Sequence, residues 1–267
     1  MLYNACNGRV DIEKTTIDYI KFGTGDRIMI MIPGVGDGFK TVKGMALPFA
    51  YMYRSFAKDF TVYVFSRRNN LPWGFTTRDM AADVKTAMDL MNIEKADVVG
   101  VSQGGMIAQY LAADYPDKVN RLVLAVTAHK TNKVMTEAVS SWIEMAKQDR
   151  YTDIMKDSAE RSYTEKYLKI YRLMYPLLPM MKPKNLERFT IQAQSCLEHN
   201  AESVLDKINH NTLIIGAEKD KIVSGDASEK LGELIKNSTV YIYPDYSHGV
   251  YEEANDFNTK IHNFLLV

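Results

Sequence analysis

Val98-Val99-Gly100-Val101-Ser102-Gln103-Gly104-Gly105-Met106 is the stretch that decides the fold of this chain. Its first residues form a short, continuous apolar run that follows Asp97, the pattern of a strand buried on both faces. Residues Gly100 to Gly104 spell G-x-S-x-G, and a helical pattern from Gly104 through Tyr110 and Ala113 stops at Tyr115-Pro116. A serine held on a sharp strand-to-helix turn is forced into a strained conformation, and flanking glycines admit neighbouring backbone without Cβ clashes. The hydroxyl then projects beyond the sheet, beside the partial positive charge of a helix start. A G-x-S-x-G also arises by chance in glycine loops. The strand before it, the helix after it and Gly105 beside it argue against that bland reading.

Outward from this turn, short apolar runs alternate with longer helical patterns, as expected of a mostly parallel sheet flanked by helices. The runs are Ile28 to Ile32, Val62 to Phe65, Val98 to Val101, Leu122 to Val126 and Thr212 to Gly216. Val240 to Tyr243 reads as a last strand, and an antiparallel start falls around Val10 to Ile12 and Ile17 to Ile20. Thr76-Thr77-Arg78-Asp79 reads as a capped helix start, followed by Met80, Val84, Ala87, Met88 and Met91 at helical spacing. Helical patterns also follow Ser224 and Glu253. From about Lys130 to Ile208 no convincing strand occurs. A stretch of that length must carry its own helices, so residues 130–208 are expected to form a helical cap inserted in a core of residues 1–129 and 209–267.

Composition narrows the function classes. The chain has 267 residues, 46% of them hydrophobic and 25% charged, with 33 Lys plus Arg against 33 Asp plus Glu. A domain of this size buries roughly three quarters of its unfolded surface and needs no metal or disulfide staple. Zero net charge gives no footprint for nucleic acid or an anionic membrane. Cys6 and Cys196 form no CxxC pair and sit in no metal-ligand spacing, so a reduced setting without a metal or other cofactor is expected. Met1 to Asn7 lacks a positive segment followed by an apolar run. No stretch approaches roughly 18 apolar residues, so a cytoplasmic location and a small-molecule partner are expected; no feature bears on oligomeric state.

A serine hydroxyl needs a base, and the base an orienting carboxylate. In the fold that this strand–turn–helix context suggests, they follow in the order Ser, acid, His. His248, in Pro244-Asp245-Tyr246-Ser247-His248-Gly249, lies beyond the final strand and before the terminal helix. His129, His199, His210 and His262 are worse placed. Asp220 ends Gly216-Ala217-Glu218-Lys219-Asp220, the loop after a core strand. Glu218 is its rival, but Lys221-Ile222-Val223 resumes apolar packing and leaves Asp220 at the inward bend; Asp245 reads as a turn residue. Pro33-Gly34-Val35-Gly36-Asp37-Gly38 follows the first central strand, and its glycines free backbone N–H groups to point inward. The N–H groups of Val35 and Gln103 are the expected oxyanion donors. The same loop lacks G-x-G-x-x-G and G-K-[ST], which argues against a phosphate site.

With these residues in hand the chain resembles the α/β-hydrolase superfamily, in its cap-bearing group of esterases, lactonases and aminopeptidases. The resemblance rests on Phe75 to Val84, Val99 to Met106, Tyr115 to Val119 and the Asp220 and His248 loops; it is weak within the cap. It implies a serine hydrolase fold and chemistry. Family members commonly carry His-Gly at the oxyanion loop where this chain has Pro33-Gly34, a change that the backbone donor can survive.

In the cap, Tyr163, Tyr167, Tyr171 and Tyr175 recur every four residues, followed by Leu173-Met174-Tyr175-Pro176-Leu177-Leu178-Pro179-Met180-Met181. This stripe either packs the cap onto the core or lines an apolar, adaptable acyl pocket. On the second reading Gly34, Tyr171, Met174, Tyr175 and Leu178 are pocket residues. The expected activity is hydrolysis of a small or medium, largely apolar carboxylic ester, thioester or lactone. A serine at the nucleophile position argues against dehalogenase and epoxide hydrolase chemistry. Acyl transfer, carbon–carbon cleavage and aminopeptidase action share the triad; the last needs cap carboxylates, for which Glu144, Glu160 and Glu165 are available. A ligand sensor that retains the triad is the alternative outside enzymology.

Overall fold

The strands of one eight-membered sheet run in the order β1-β2-β4-β3-β5-β6-β7-β8 in the computed structural model, which describes residues 2–267. In chain order the elements are β1 (Cys6–Ile12), β2 (Thr15–Phe22), β3 (Arg27–Ile32), α1 (Ala46–Met52), β4 (Phe60–Arg68), α2 (Thr77–Leu90), β5 (Ala96–Val101), α3 (Gln103–Asp114) and β6 (Val119–Ala125). Then come α4 (Lys133–Lys147), α5 (Tyr151–Ser162), α6 (Glu165–Tyr171) and α7 (Glu187–Leu197), followed by β7 (Thr212–Ala217), α8 (Ala227–Leu234), β8 (Ser238–Tyr243), α9 (Val250–Glu253) and α10 (Phe257–Leu266). The β1/β2 and β2/β4 pairs are antiparallel, and every pair from β4 to β8 is parallel. This is the α/β-hydrolase fold.

Alternation along the buried strands feeds two cores. Ile30, Ile32, Val98, Leu122, Leu124 and Ile214 pack with α2, α3 and α8 on one face. Met29, Met31, Val99, Val123, Leu213 and Ile215 pack with α1 and α10 on the other. An apolar residue at every position is therefore what a sheet covered on both sides requires. β8 departs from that pattern: it is the edge strand, and Val240 and Tyr241 stay exposed. α2 begins at a complete capping box, in which the Asp79 N–H donates to Thr76 Oγ1 (3.1 Å) and the Thr76 N–H donates to Asp79 Oδ2 (2.9 Å).

Between β6 and β7 the described chain holds helices and 3-10 turns, with one isolated bridge, Lys130 to Asn200, at the base. A third core joins α4, α5 and α7 through Met135, Val139, Trp142, Ile154 and Phe189. Where this insert rejoins the sheet, His199 is buried; its Nδ1 shares a hydrogen bond with Thr77 Oγ1 (2.9 Å), and the Tyr110 ring meets it edge-on. Burial pushes its imidazole down to about 3. The unfolded chain takes up a proton there below the ordinary histidine value, 6.5, while the folded one does not. Stability contributed by neutral His199 is thus complete above pH 6.5 and falls away as pH drops, by about 2 kcal/mol at pH 5. Urea midpoints at pH 7 and 5 should show a smaller drop in His199→Gln than in the native protein; equal drops would remove His199 as the cause.

Candidate active site

The C-terminal ends of the parallel strands come level with one another: Ile32 pairs with Gly100, Val101 with Ala125, Ala125 with Ile215 and Ala217 with Tyr243. Five loops therefore emerge side by side at one sheet edge. In open α/β sheets that edge is where ligands bind.

Ser102 sits at the turn between β5 and α3 with φ +54° and ψ −121°. The turn is held by the Ser102 N–H donating to the Ala125 carbonyl (2.9 Å) and by Thr127 Oγ1 donating to the Ser102 carbonyl (2.8 Å). The glycines are needed for close approach. A Cβ on Gly104 would lie 1.9 Å from the Ile32 carbonyl oxygen, and one on Gly100 2.5 Å from that of Gly104. Serine at a helix N-cap ordinarily caps the helix with its own hydroxyl. Here it makes no such bond, and Oγ instead lies 3.0 Å from His248 Nε2.

His248 Nδ1 lies 2.8 Å from Asp220 Oδ2. The other Asp220 oxygen accepts from the backbone N–H of Ile222 (2.8 Å) and of Val223 (2.9 Å). Both side chains are buried, whereas Glu218 and Asp245 are exposed. The histidine loop is clasped to the insert, Ser247 Oγ donating to the Arg161 carbonyl and the Gly249 N–H to that of Ser162, each at 2.7 Å. A hydroxyl, an imidazole and a carboxylate joined in this order can move a proton off the hydroxyl and return it to a leaving group.

Val35 and Gln103 each open a helical turn, Val35 the 3-10 turn Val35–Gly38 and Gln103 the helix α3. First-turn N–H groups have no acceptor within their own helix. Gly34 brings the first turn against the serine, since a Cβ there would stand 3.3 Å from that of Ser102. The residues that follow Gly34 and Ser102 thus each begin a helical turn beside this close approach.

A buried polar network, which no local motif marks, ties the 34–38 loop to the residue after Ser102. Asp37 Oδ2 accepts from Arg188 Nη2 (2.7 Å), the Arg67 N–H (3.2 Å) and Gln192 Nε2 (3.2 Å), while Arg188 Nη1 donates to the Asp37 carbonyl. Arg67 Nη2 donates to the Pro33 carbonyl and to Gln103 Oε1 (3.0 Å); Gln103 Nε2 in turn donates to the Gln192 carbonyl (2.7 Å) and Ser195 Oγ (3.1 Å). Helix α7 of the insert is thereby tied to the 34–38 loop and to the residue after Ser102. Burial pushes the Asp37 carboxyl up, but Arg188 and Arg67 outweigh it and hold it below the ordinary range; burial draws the Arg67 guanidinium down to about 10. One signal was available: Arg67 ends an apolar strand and Asp37 lies in a glycine loop, and charges buried there need partners.

The hydroxyl opens into a cavity of about 270 Å³ between sheet edge and insert. Gly34 lines it, but Tyr171, Met174, Tyr175 and Leu178 do not. The tyrosine stripe stacks on itself, with ring centroids 4.6 Å apart for Tyr163 and Tyr167, 5.2 Å for Tyr163 and Tyr171 and 6.1 Å for Tyr171 and Tyr175. Tyr175 bonds Glu160, the proline-bearing 3-10 segment Arg172–Met181 leaves Met174 exposed, and Leu178 is buried away from the cavity wall. The wall comes instead from α4, α5 and α7: Met135, Val139, Trp142, Ile154, Met155 and Phe189. Met135, Val139 and Trp142 are spaced by four and three, a helical face legible in sequence. Cys196 also lines the cavity, but burial pushes its thiol up to about 12, which leaves it unreactive beside Ser102.

A match to the family described as alpha/beta hydrolase fold runs from residue 27 to 255. The chain belongs to the α/β-hydrolase family. It is similar to 2-hydroxymuconate semialdehyde hydrolase of Pseudomonas putida, 25% identical over 184 residues, which cover 67% of this chain and 65% of the relative. The chain thus matches slightly less than two thirds of that relative's length. It is also similar to 3-oxoadipate enol-lactonase 2 of Acinetobacter baylyi, 22% identical over 183 residues and 68% of each chain. Among solved structures, MGS-M2, an alpha/beta hydrolase enzyme from a Medee basin deep-sea metagenome library, superposes with a TM-score of 0.84 at 20% identity, covering 97% of this chain and 98% of that one. At that identity the likeness concerns the fold. No helix among the described residues is long and apolar enough to cross a membrane.

Proposed function

We propose that this α/β-hydrolase cleaves a small or medium, largely apolar carboxylic ester, thioester or lactone through an acyl-enzyme. The observation that carries the reading is the hydrogen-bonded series Ser102–His248–Asp220 opening into a cavity walled by Met, Val, Trp, Ile and Phe side chains. Ser102 Oγ attacks the carbonyl carbon while His248 takes its proton, and the oxyanion meets the N–H groups of Val35 and Gln103. The tetrahedral adduct expels the alcohol, protonated by His248; a water activated by the same imidazole then releases the acid. Asp220 holds the ring in the tautomer this needs. Residues 130–208 act as the cap that supplies the acyl wall and excludes water.

No Lys or Arg lies among the residues lining this cavity, and Arg188 is committed to Asp37. An acyl group with its own carboxylate would thus be desolvated without a counter-charge. Among p-nitrophenyl esters, acetate to hexanoate should be cleaved well, and a succinate half-ester at least about tenfold more slowly than butyrate, the loss expected from about 1.4 kcal/mol of unpaired charge. Trp142→Ala should move the chain-length optimum to longer acyl groups. A fluorophosphonate probe that labels nothing in the native protein would sink the hydrolase reading; a succinate ester cleaved as fast as butyrate would sink the neutral acyl class.

A further inference from the structure

A second cavity, of about 440 Å³, adjoins the first and shares Gly34, Gly36 and Tyr251 with it. It is lined by the strand residues Met31, Val64, Val99 and Val101 and by Phe49 and Met52 of α1. Two acids line it. Asp37 is already matched by Arg188, whereas Glu252 is not: the groups acting on it are Tyr163, Tyr251 and the like-charged Glu253, with no cation among them. The one lysine on the cavity wall, Lys40, is exposed to solvent.

Tyrosines surround that carboxyl. Tyr163 Oη donates to Glu252 Oε2 at 2.6 Å, and the Tyr167 and Tyr171 rings pack beside the Tyr163 ring. Tyr53 and Tyr251 line the same cavity. The hydroxyls of Tyr53, Tyr163, Tyr167, Tyr171 and Tyr251 are all pushed up, first by burial and then by the charge of Glu252. Glu253, by contrast, is used structurally, accepting from the Thr164 N–H (2.9 Å) and Thr164 Oγ1 (2.5 Å). Glu252 lines the concavity and keeps solvent-exposed surface, while the protein packed around it raises its carboxyl. A carboxylate with lone pairs to spare, set among tyrosine rings and lacking a counter-ion, is complementary to an organic cation.

We propose that Glu252 and the tyrosines around it bind an ammonium group, primary or quaternary, carried by the leaving group of the substrate. The inference rests on the hydrolase reading above. With the acyl chain in the first cavity, the leaving group extends past Gly34 and Tyr251 into the second. Attack by Ser102 breaks the acyl carbon–oxygen bond, His248 protonates the departing alkoxide, and an amino alcohol leaves; water completes the hydrolysis.

Butyrylcholine and 3,3-dimethylbutyl butyrate have the same shape and differ in one charge. Their kcat/KM ratio should favour the cation by about 10- to 30-fold in the native enzyme, the size expected of a desolvated cation over aromatic faces. It should fall below about threefold in Glu252→Gln and by severalfold in Tyr53→Leu, which removes a ring without touching the carboxyl. Choline binding to Ser102→Ala, measured by calorimetry, reads the site without turnover and should weaken about tenfold or more when Glu252→Gln is added. A ratio near one in the native enzyme, a ratio unchanged by Glu252→Gln, or no choline binding to Ser102→Ala would overturn the proposal. If neither ester turns over and the fluorophosphonate labels nothing, the hydrolase reading falls, and choline binding alone still decides the cation site.

Discussion

Ser102→Ala should lower kcat/KM on the best p-nitrophenyl ester by about four to six orders of magnitude and abolish fluorophosphonate labelling. In the proposed mechanism the lost atom forms the acyl bond, and neither His248 nor the backbone donors would replace it. Stability should change little, because the hydroxyl neither caps α3 nor fills the core; its one side-chain partner is His248 Nε2. The Ala side chain occupies the same strained turn at φ +54°. His248→Ala should cost about as much as Ser102→Ala, and the double variant little more than either, since the two act as one unit. Retention of even one hundredth of native turnover by Ser102→Ala, with labelling intact, would place the nucleophile elsewhere.

Asp37→Ala should be the most destabilising single change at the sheet edge, costing about 3–5 kcal/mol in urea unfolding. It leaves Arg188 and Arg67 facing each other in a buried site without their carboxylate. Activity should fall as well, because the network positions the 34–38 loop and the Gln103 side chain. Adding Arg188→Ala should restore part of the stability, so that the double variant costs less than the two single changes summed. The pH dependence has a definite sign. The carboxyl of Asp37 is held below its ordinary value of 3.8, so its contribution is present above that pH and is lost as pH falls through the lower folded value. The gap between native and variant stability therefore narrows in acid. A loss under about 1 kcal/mol at pH 7 would show that the ion pair barely exceeds the cost of its own desolvation.

The core was legible because its signals are local. Apolar runs named the parallel strands, Thr76 and Asp79 announced α2, and the strand-turn-helix context singled out Ser102. The apolar residues after Asp220 distinguish it from Glu218, and the N–H groups of two of them, Ile222 and Val223, donate to its carboxylate. The cap was legible only as helix. Its tyrosine stripe has a clear period, but periodicity states which residues share a face and not what that face meets. Tyr171, Met174, Tyr175 and Leu178 stand away from the cavity they were expected to line, while the less conspicuous face of α4 supplies its wall.

By itself, then, the amino-acid order marked the sheet, the helical insert and the candidates Ser102, Asp220 and His248, because each is marked by neighbours a few residues away. Only the tertiary structure decided what spans long separations. Asp37 meets Arg188 across 151 residues, Gln103 meets Ser195 across 92, and Tyr163 meets Glu252 across 89. Such pairs leave no local pattern, since burial makes an isolated charge costly whichever partner relieves it. Which partner does so is set by how the insert lies over the sheet edge.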